Sequence, residues 1–170
     1  MKRMIALCAA AALCLSLLSA CGSKNEEEKQ VDLAAFAQTI QENYEFSGFL
    51  ERVDPKDEEM GELMAQMLGN YYPGLTDLEL EQLEIYMSMV SFSSGEFALA
   101  QAKSAEDAAK VKEIFQARID AKTTEGPNNY PEEVELWQHN AKLADHGSYV
   151  MLVCQENSAA IVEEFNALFS

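Results

Sequence analysis

The chain has 170 residues, 48% of them hydrophobic and 24% charged, which is the composition of one ordinary globular domain. A disordered chain and a multi-span membrane protein are both excluded. Twelve Lys and Arg against 29 Asp and Glu give a formal net charge of -17, so a phosphate backbone is repelled and nucleic acid is excluded as a partner.

Lys2 and Arg3 precede residues 4–18, a run of Ala, Leu, Ile, Met and Cys broken only by Ser16. That run is shorter than the ~20 apolar residues a permanent membrane span needs, so residues 1–20 read as a secretory signal. Leu18-Ser19-Ala20-Cys21 places an aliphatic residue and two small ones before a cysteine, with Gly22 and Ser23 after it. This resembles the lipobox of bacterial lipoprotein precursors. The resemblance implies that the Cys21 thiol receives a diacylglyceryl group and that the bond before it is cut. Cys21, the lipidation site, then becomes the N-terminus, and two acyl chains give a stable hold where one gives a marginal one.

Residues 21–30 read as a flexible, acidic tether, since Gly22 to Gln30 contain no apolar residue. Cys8 and Cys14 leave with the signal and Cys21 carries lipid, so Cys154 alone remains and no disulfide can form within residues 31–170, the single folded domain. That domain must hold through its core, and a body of this size buries about 68 to 70% of its unfolded surface. Without Lys2 and Arg3 there are 10 basic and 29 acidic residues, a charge of about -19 that keeps the body off anionic headgroups.

The first predicted helix starts at Asp32, whose carboxylate caps free amides, and carries Leu33, Phe36 and Ile40 before Ser47-Gly48 ends it. Residues 54–62 form a charged opening to a second helix with Leu63, Met64, Met67 and Leu68, predicted to stop at Gly69-Asn70 by a glycine cap. Tyr71-Tyr72-Pro73-Gly74 is a turn. The period then changes to two: Leu83, Ile85, Met87 and Met89 alternate with Glu84, Tyr86 and Ser88, a strand. Ser93-Ser94-Gly95 is a hairpin turn into a second strand over 97–103, with Phe97 and Leu99 on one face and Ala98, Ala100 and Ala102 on the other.

Ser104-Ala105-Glu106-Asp107 resembles a capping box for a long helix whose stripe is Ala108, Val111, Phe115 and Ile119. A loop over 123–129 leads to Pro131 at the first position of a short helix bearing Val134 and Trp137. Residues 141–144 are an edge strand turned by Asp145-His146-Gly147. Residues 149–154 are apolar throughout, as a strand covered on both faces would be. Asn157 or Ser158 caps a last helix with Ile161, Phe165 and Leu168. The stretches from Phe97 and from Tyr149 echo each other as strand, cap and amphipathic helix. The expected fold is α+β in two layers, a roughly four-stranded antiparallel sheet with helices packed on one face, preceded by N-terminal helices.

The succession of capped helix, Met-rich helix, Asn70-Tyr71-Tyr72-Pro73-Gly74, the hairpin ending Glu96-Phe97-Ala98-Leu99, residues 111–120, Tyr130-Pro131-Glu132 and Gly147-Ser148-Tyr149-Val150-Met151 resembles a known family. It is similar to small bacterial lipoproteins of anaerobic monoderms that share the domain of unknown function 4358. The resemblance covers nearly all of the mature chain and supports fold and localisation. It carries over no catalytic or binding residue, because none is established for the family.

Each side chain with chemistry also has a plainer role. Cys154 with His139 or His146 would make a thiol and base, but a thiol in an apolar strand stays protonated, so a core cysteine is favoured. Met60, Met64 and Met67 at helical spacing, with Met87, Met89 and Met151, could bind Cu(I), against which stands a methionine-lined core. Asp54, Asp57, Glu58, Glu59 and Glu62 lack the spacing of a calcium loop and read as a solvated helix start. Glu163 and Glu164 are adjacent on a helix and point apart. Tyr71, Tyr72, Tyr130 and Trp137 either line a ligand groove or pack in the core. No hydrolase elbow, metalloprotease motif or phosphate loop occurs.

The reading is an extracytoplasmic lipoprotein on the cell membrane, anchored by lipid on Cys21 and acting as a non-catalytic module for a protein, peptide or envelope partner, with no catalytic residue, cofactor or metal. The alternatives are a lipoprotein capturing a small ligand or metal for a transporter, and an envelope enzyme.

Overall fold

A computed structural model describes residues 29–46, 48–88, 95–124 and 130–170. The signal segment, Cys21, the tether up to residue 28, Met89, the Ser93-Ser94 turn and the Gly126-Pro127 loop lie outside the described residues.

Ten regular elements follow one another: α1 (Leu33–Asn43), β1 (Leu50–Arg52), α2 (Gly61–Tyr71), β2 (Leu80–Ser88), β3 (Glu96–Ala102), α3 (Ala105–Thr123), α4 (Pro131–Asn140), β4 (Lys142–His146), β5 (Tyr149–Cys154) and α5 (Ser158–Ala167), with a 3-10 turn at Leu75–Asp77. The strands form one antiparallel sheet in the order β1-β2-β3-β5-β4. β3 is central, and every residue of β3 and of β5 is buried. The class is α+β with an antiparallel sheet, as the alternating segments imply.

Local chemistry sets most boundaries. Asp32 accepts the Ala35 N–H at 3.0 Å and starts α1, and Ser104 accepts the Asp107 N–H at 3.0 Å and starts α3, each satisfying an amide the first helical turn leaves open. Pro131 sits where α4 begins and needs no N–H there. At α5 the Asn157 side chain makes no capping bond. Ser158 instead accepts the Gln155 N–H and donates to the Gln155 carbonyl, both at 2.8 Å.

The layering differs from the two layers expected, and the sheet has five strands rather than about four. α2, α3 and α4 pack on one face over Ile85, Met87, Ala98, Ala100, Ala102, Val150, Leu152 and Cys154. α1 and α5 pack on the other over Leu50, Phe97, Leu99, Tyr149, Met151 and Val153. The physical reason lies in β3 and β5: both alternate sets of side chains are apolar, so either face left open would expose a core-sized surface. The fifth strand, β1, is only three residues long and too short to show a period.

α2 does not stop at Gly69-Asn70, as expected, but continues to Tyr71, because buried Tyr72 closes the helix through its N–H to the Leu68 carbonyl at 2.8 Å. On α3 the stripe of Ala108, Val111, Phe115 and half-buried Ile119 packs on the core, and buried Arg118 joins it. The strand-cap-helix echo stays local, since α3 and α5 cover opposite faces of the sheet.

Candidate functional site

The chemistry of the described residues gathers where α2, α3 and α4 meet the Glu96 end of β3. Glu96 is 3% exposed and Arg118 8%. Arg118 donates from Nε to Glu96 Oε1 at 2.7 Å and from an Nη to Oε2 at 2.6 Å, a two-pronged pair. Tyr72, at the end of α2, donates its hydroxyl to Glu96 Oε1 at 2.6 Å. Burial pushes the Glu96 carboxyl up, but the Arg118 charge and the bonds from Arg118 and Tyr72 outweigh it and hold the group below its ordinary range. Burial likewise opposes the Arg118 charge, and Glu96 more than restores it. The Tyr72 hydroxyl is held well above its ordinary value by burial and by the neighbouring carboxylate. At neutral pH the centre is an ion pair tied to a neutral phenol.

Three aromatic rings surround the guanidinium. Its central carbon lies 4.5 Å from the Tyr71 ring, 5.8 Å from Tyr72 and 5.7 Å from Trp137, distances at which a cation is attracted to a π face. Tyr72 also meets Phe115 edge-on at 5.7 Å. Trp137 is 1% exposed, and its indole N–H finds no hydrogen-bond partner among the described residues. Lys122, one turn beyond Arg118, pairs with buried Glu133 of α4. The arrangement fixes α2, α3 and α4 to the sheet and presents the outer face of Tyr71 to solvent.

The residues weighed in the sequence separate clearly. Cys154 is buried beside Glu96, its partner in the β3–β5 ladder. Burial, reinforced by the Glu96 charge, pushes its thiol up to about 12, so it is protonated at neutral pH and a poor nucleophile. His146 pairs with Tyr149, at the far end of β5, and stacks on Phe169 with 4.3 Å between ring centres. His139 is exposed near the end of α4, where its carbonyl accepts from Lys142. Neither imidazole is brought to the thiol.

The methionines do not converge. Met64 and Met87 lie in one core and Met151 in the other, with the sheet between them, while Met60 is on the surface. Met64 also accepts the Asp54 N–H at 3.1 Å. Asp57 accepts the N–H groups of Glu59 and Met60 at 2.9 and 2.7 Å, which lowers its carboxyl and caps the approach to α2. Glu164 accepts the Tyr44 hydroxyl at 2.8 Å, and Glu163 is exposed. Among the described residues no three His, Cys, Asp or Glu side chains are grouped to hold a metal ion, and no helix is long and apolar enough to cross a membrane. Of the four aromatic residues, Tyr71, Tyr72 and Trp137 meet around Arg118; Tyr130 is exposed at the start of α4.

Residues 54–155 match the family described as Domain of unknown function (DUF4358), well over half of the chain. The chain belongs to the DUF4358 family. No curated protein and no solved structure matches it. Within the DUF4358 span lie α2, β2, β3, α3, α4, β4 and β5, and with them the Glu96–Arg118–Tyr72 centre; α1, β1 and α5 lie outside it.

Glu96 and Arg118 were not singled out from the sequence. The available signal was positional. Arg118 follows Val111 and Phe115 at the spacing of one helix face, and Glu96 opens a strand that is otherwise apolar up to Gln101. One acid and one base intruding on two apolar patterns are a pair in search of each other.

Proposed function

We propose that this member of the DUF4358 family is an extracytoplasmic lipoprotein, held to the cell membrane by acyl chains on Cys21, whose body is a non-catalytic interaction module. The observation that carries the anchor is the coincidence of the basic start, the short apolar run and Leu18-Ser19-Ala20-Cys21. Where the body begins is consistent with it. Val31 donates its N–H to the Tyr149 hydroxyl at 3.1 Å, and the Gln82 amide accepts the Leu33 N–H at 2.9 Å while donating to the Val31 carbonyl at 2.8 Å. From Cys21 to this clamp the chain can reach at most about 35 Å.

Incorporation of labelled palmitate tests the anchor. Label is expected on the native chain and not on Cys21→Ser, and full labelling of the variant would end this reading.

A second reading, capture of a small ligand for a transporter, draws on one feature. An open crevice of about 510 Å³ beside the clamp has a lining that includes Gln30, Glu81, Gln82, Gln101, Lys103 and Ser148. Its polar lining and open mouth suit a solvated ligand less well than the enclosed, largely apolar pockets that bury most of a small molecule, so the interaction module is preferred.

A further inference from the structure

Two rows of apolar side chains run along α2, and only one of them is used by the fold. The inner row, Met64, Leu68 and Tyr72, is buried in the core. The outer row is Met60, Leu63, Met67 and Tyr71, spaced three, four and four residues apart, so the four lie above one another on one face over about 16 Å. Met60 is 38% exposed, Leu63 44% and Tyr71 42%, and Met67 is half-buried. These are three of the five large apolar side chains that stand exposed among the described residues, which makes the row a patch and not scatter.

The helix is not free to roll and bury the row. A Cβ on Gly61 would lie 2.7 Å from the Pro55 carbonyl oxygen, so the first turn is pressed against the preceding loop. At the other end Tyr71 rests on the Arg118 guanidinium, which Glu96 holds. Both ends of α2 are fixed, and the outer row is held out by packing.

The approach to the Met60 end of the patch is mostly acidic. Glu58 and Glu59 are exposed there and pair with no cation among the described residues, and in residues 54–62 Lys56 is the single base among five acids. A second copy carries the same net charge of -17 and would be repelled, as would an anionic bilayer. A partner carrying positive charge beside an apolar stripe meets both features. Methionines adapt to the shape of such a stripe, and a rigid helix face is the usual platform for one.

We propose that the outer row of α2 is the docking surface for a basic amphipathic helix of a partner protein, its apolar residues against Leu63, Met67 and Tyr71 and its Lys or Arg side chains against Glu58 and Glu59. This names the chemistry of the partner in the interaction-module reading and rests on that reading, but it does not depend on the lipid anchor.

The test is photo-crosslinking of the full chain in its native host, with benzoylphenylalanine in place of Leu63 or Met67 and, as control, in place of exposed Ala160 on α5. Adducts at 63 and 67 are expected to exceed those at 160 by about tenfold or more, as for a buried contact against a bystander. The cross-linked peptide should carry net positive charge and apolar residues at three- and four-residue spacing. The combined variant Glu58→Gln, Glu59→Gln, which touches no buried contact, should reduce the adduct about fivefold. The proposal is overturned by an adduct to a second copy, to phospholipid or to an acidic or neutral segment, by an adduct unchanged in the double variant, or by no excess over position 160. Palmitate incorporation read in the same cells separates the two readings: label without adduct sinks the docking surface alone, and adduct without label sinks the anchor alone.

Discussion

The two faces of the sheet put their polar groups to different use. The face under α1 and α5 is largely apolar and aromatic: Phe165 lies 6.1 Å from Phe36 and 5.2 Å from Phe169, and Phe97 stacks on Tyr86 at 4.8 Å. Its bonds from Arg52 to Glu84 and from Gln82 to Gln101 join neighbouring strands. The face under α2, α3 and α4 contains alanines from β3 in place of large side chains, and it encloses the Glu96–Arg118 pair, Lys122 with Glu133, and the Cys154 thiol. Ring burial dominates the first face, where Gln82 bonds only the start of α1, whereas the second is held partly by bonds with fixed geometry that align three helices. The DUF4358 match covers the three helices of the second face and neither helix of the first. The exposed row of α2 belongs to that second face as well, so the part of the molecule that defines the family also carries the surface proposed for a partner.

The comparison breaks most visibly under single substitutions read against pH. Phe165→Ala should cost about 3 to 5 kcal/mol for a large buried ring, and that cost should stay level from pH 7 to pH 4, since no charge is involved. Arg118→Met should cost a similar amount, about 3 to 5 kcal/mol, because Glu96 is left buried without its cation. In the native chain the Glu96 carboxyl is depressed, so its contribution is fully present above the ordinary carboxylate range and disappears as pH falls through the lower folded value. In the variant burial is opposed only by the Tyr72 hydroxyl and the Lys122 charge, so the carboxyl is expected to rise, protonation relieves the defect, and the deficit against the native chain should shrink toward pH 4. Chemical denaturation at the two pH values decides it. A deficit independent of pH would remove the electrostatic half of the comparison. The double variant Glu96→Leu with Arg118→Met should recover most of the loss.

A smaller effect separates two glycines of one helix. Gly61→Ala pushes a methyl group against the Pro55 carbonyl and should destabilise by about 1 to 3 kcal/mol, as overpacking does. Gly69 lies inside α2 with nothing within 4 Å of an added Cβ, so Gly69→Ala should stabilise by about 0.5 to 1 kcal/mol through helix propensity. Equal signs in thermal melts would show that α2 is not pinned as described.

Smallest in energy is the behaviour of Cys154. With Cys8, Cys14 and Cys21 replaced by Ser, a thiol reagent at pH 8 should titrate no sulfur in the folded chain and one in the denatured chain. Its raised value of about 12 also means that the neutral thiol's contribution is present below the unfolded value and is lost as pH rises toward the folded one. Rapid labelling of the folded chain would place the thiol outside the core.

The sequence by itself determined what is local. Asp32, Ser104 and Pro131 begin helices because a cap or a missing N–H acts within one turn, and the alternation through β2 and β3 and the unbroken apolar run of β5 define strands whatever they pair with. The same local signals picked out Tyr71, Tyr72 and Trp137 and the helical spacing of Met60, Met64 and Met67. Only the tertiary structure decided that α1 and α5 cover one face and α2, α3 and α4 the other, that Arg118 turns inward beside Ile119, and that α2 runs through Gly69 to Tyr71. It also decided which of the Met-rich rows is buried. Each of these depends on residues distant in the chain, Glu96 meeting Arg118 22 positions away and Tyr72 24 positions away. A buried charge is stable only beside its partner, and no property of either residue alone reveals that the other will be there.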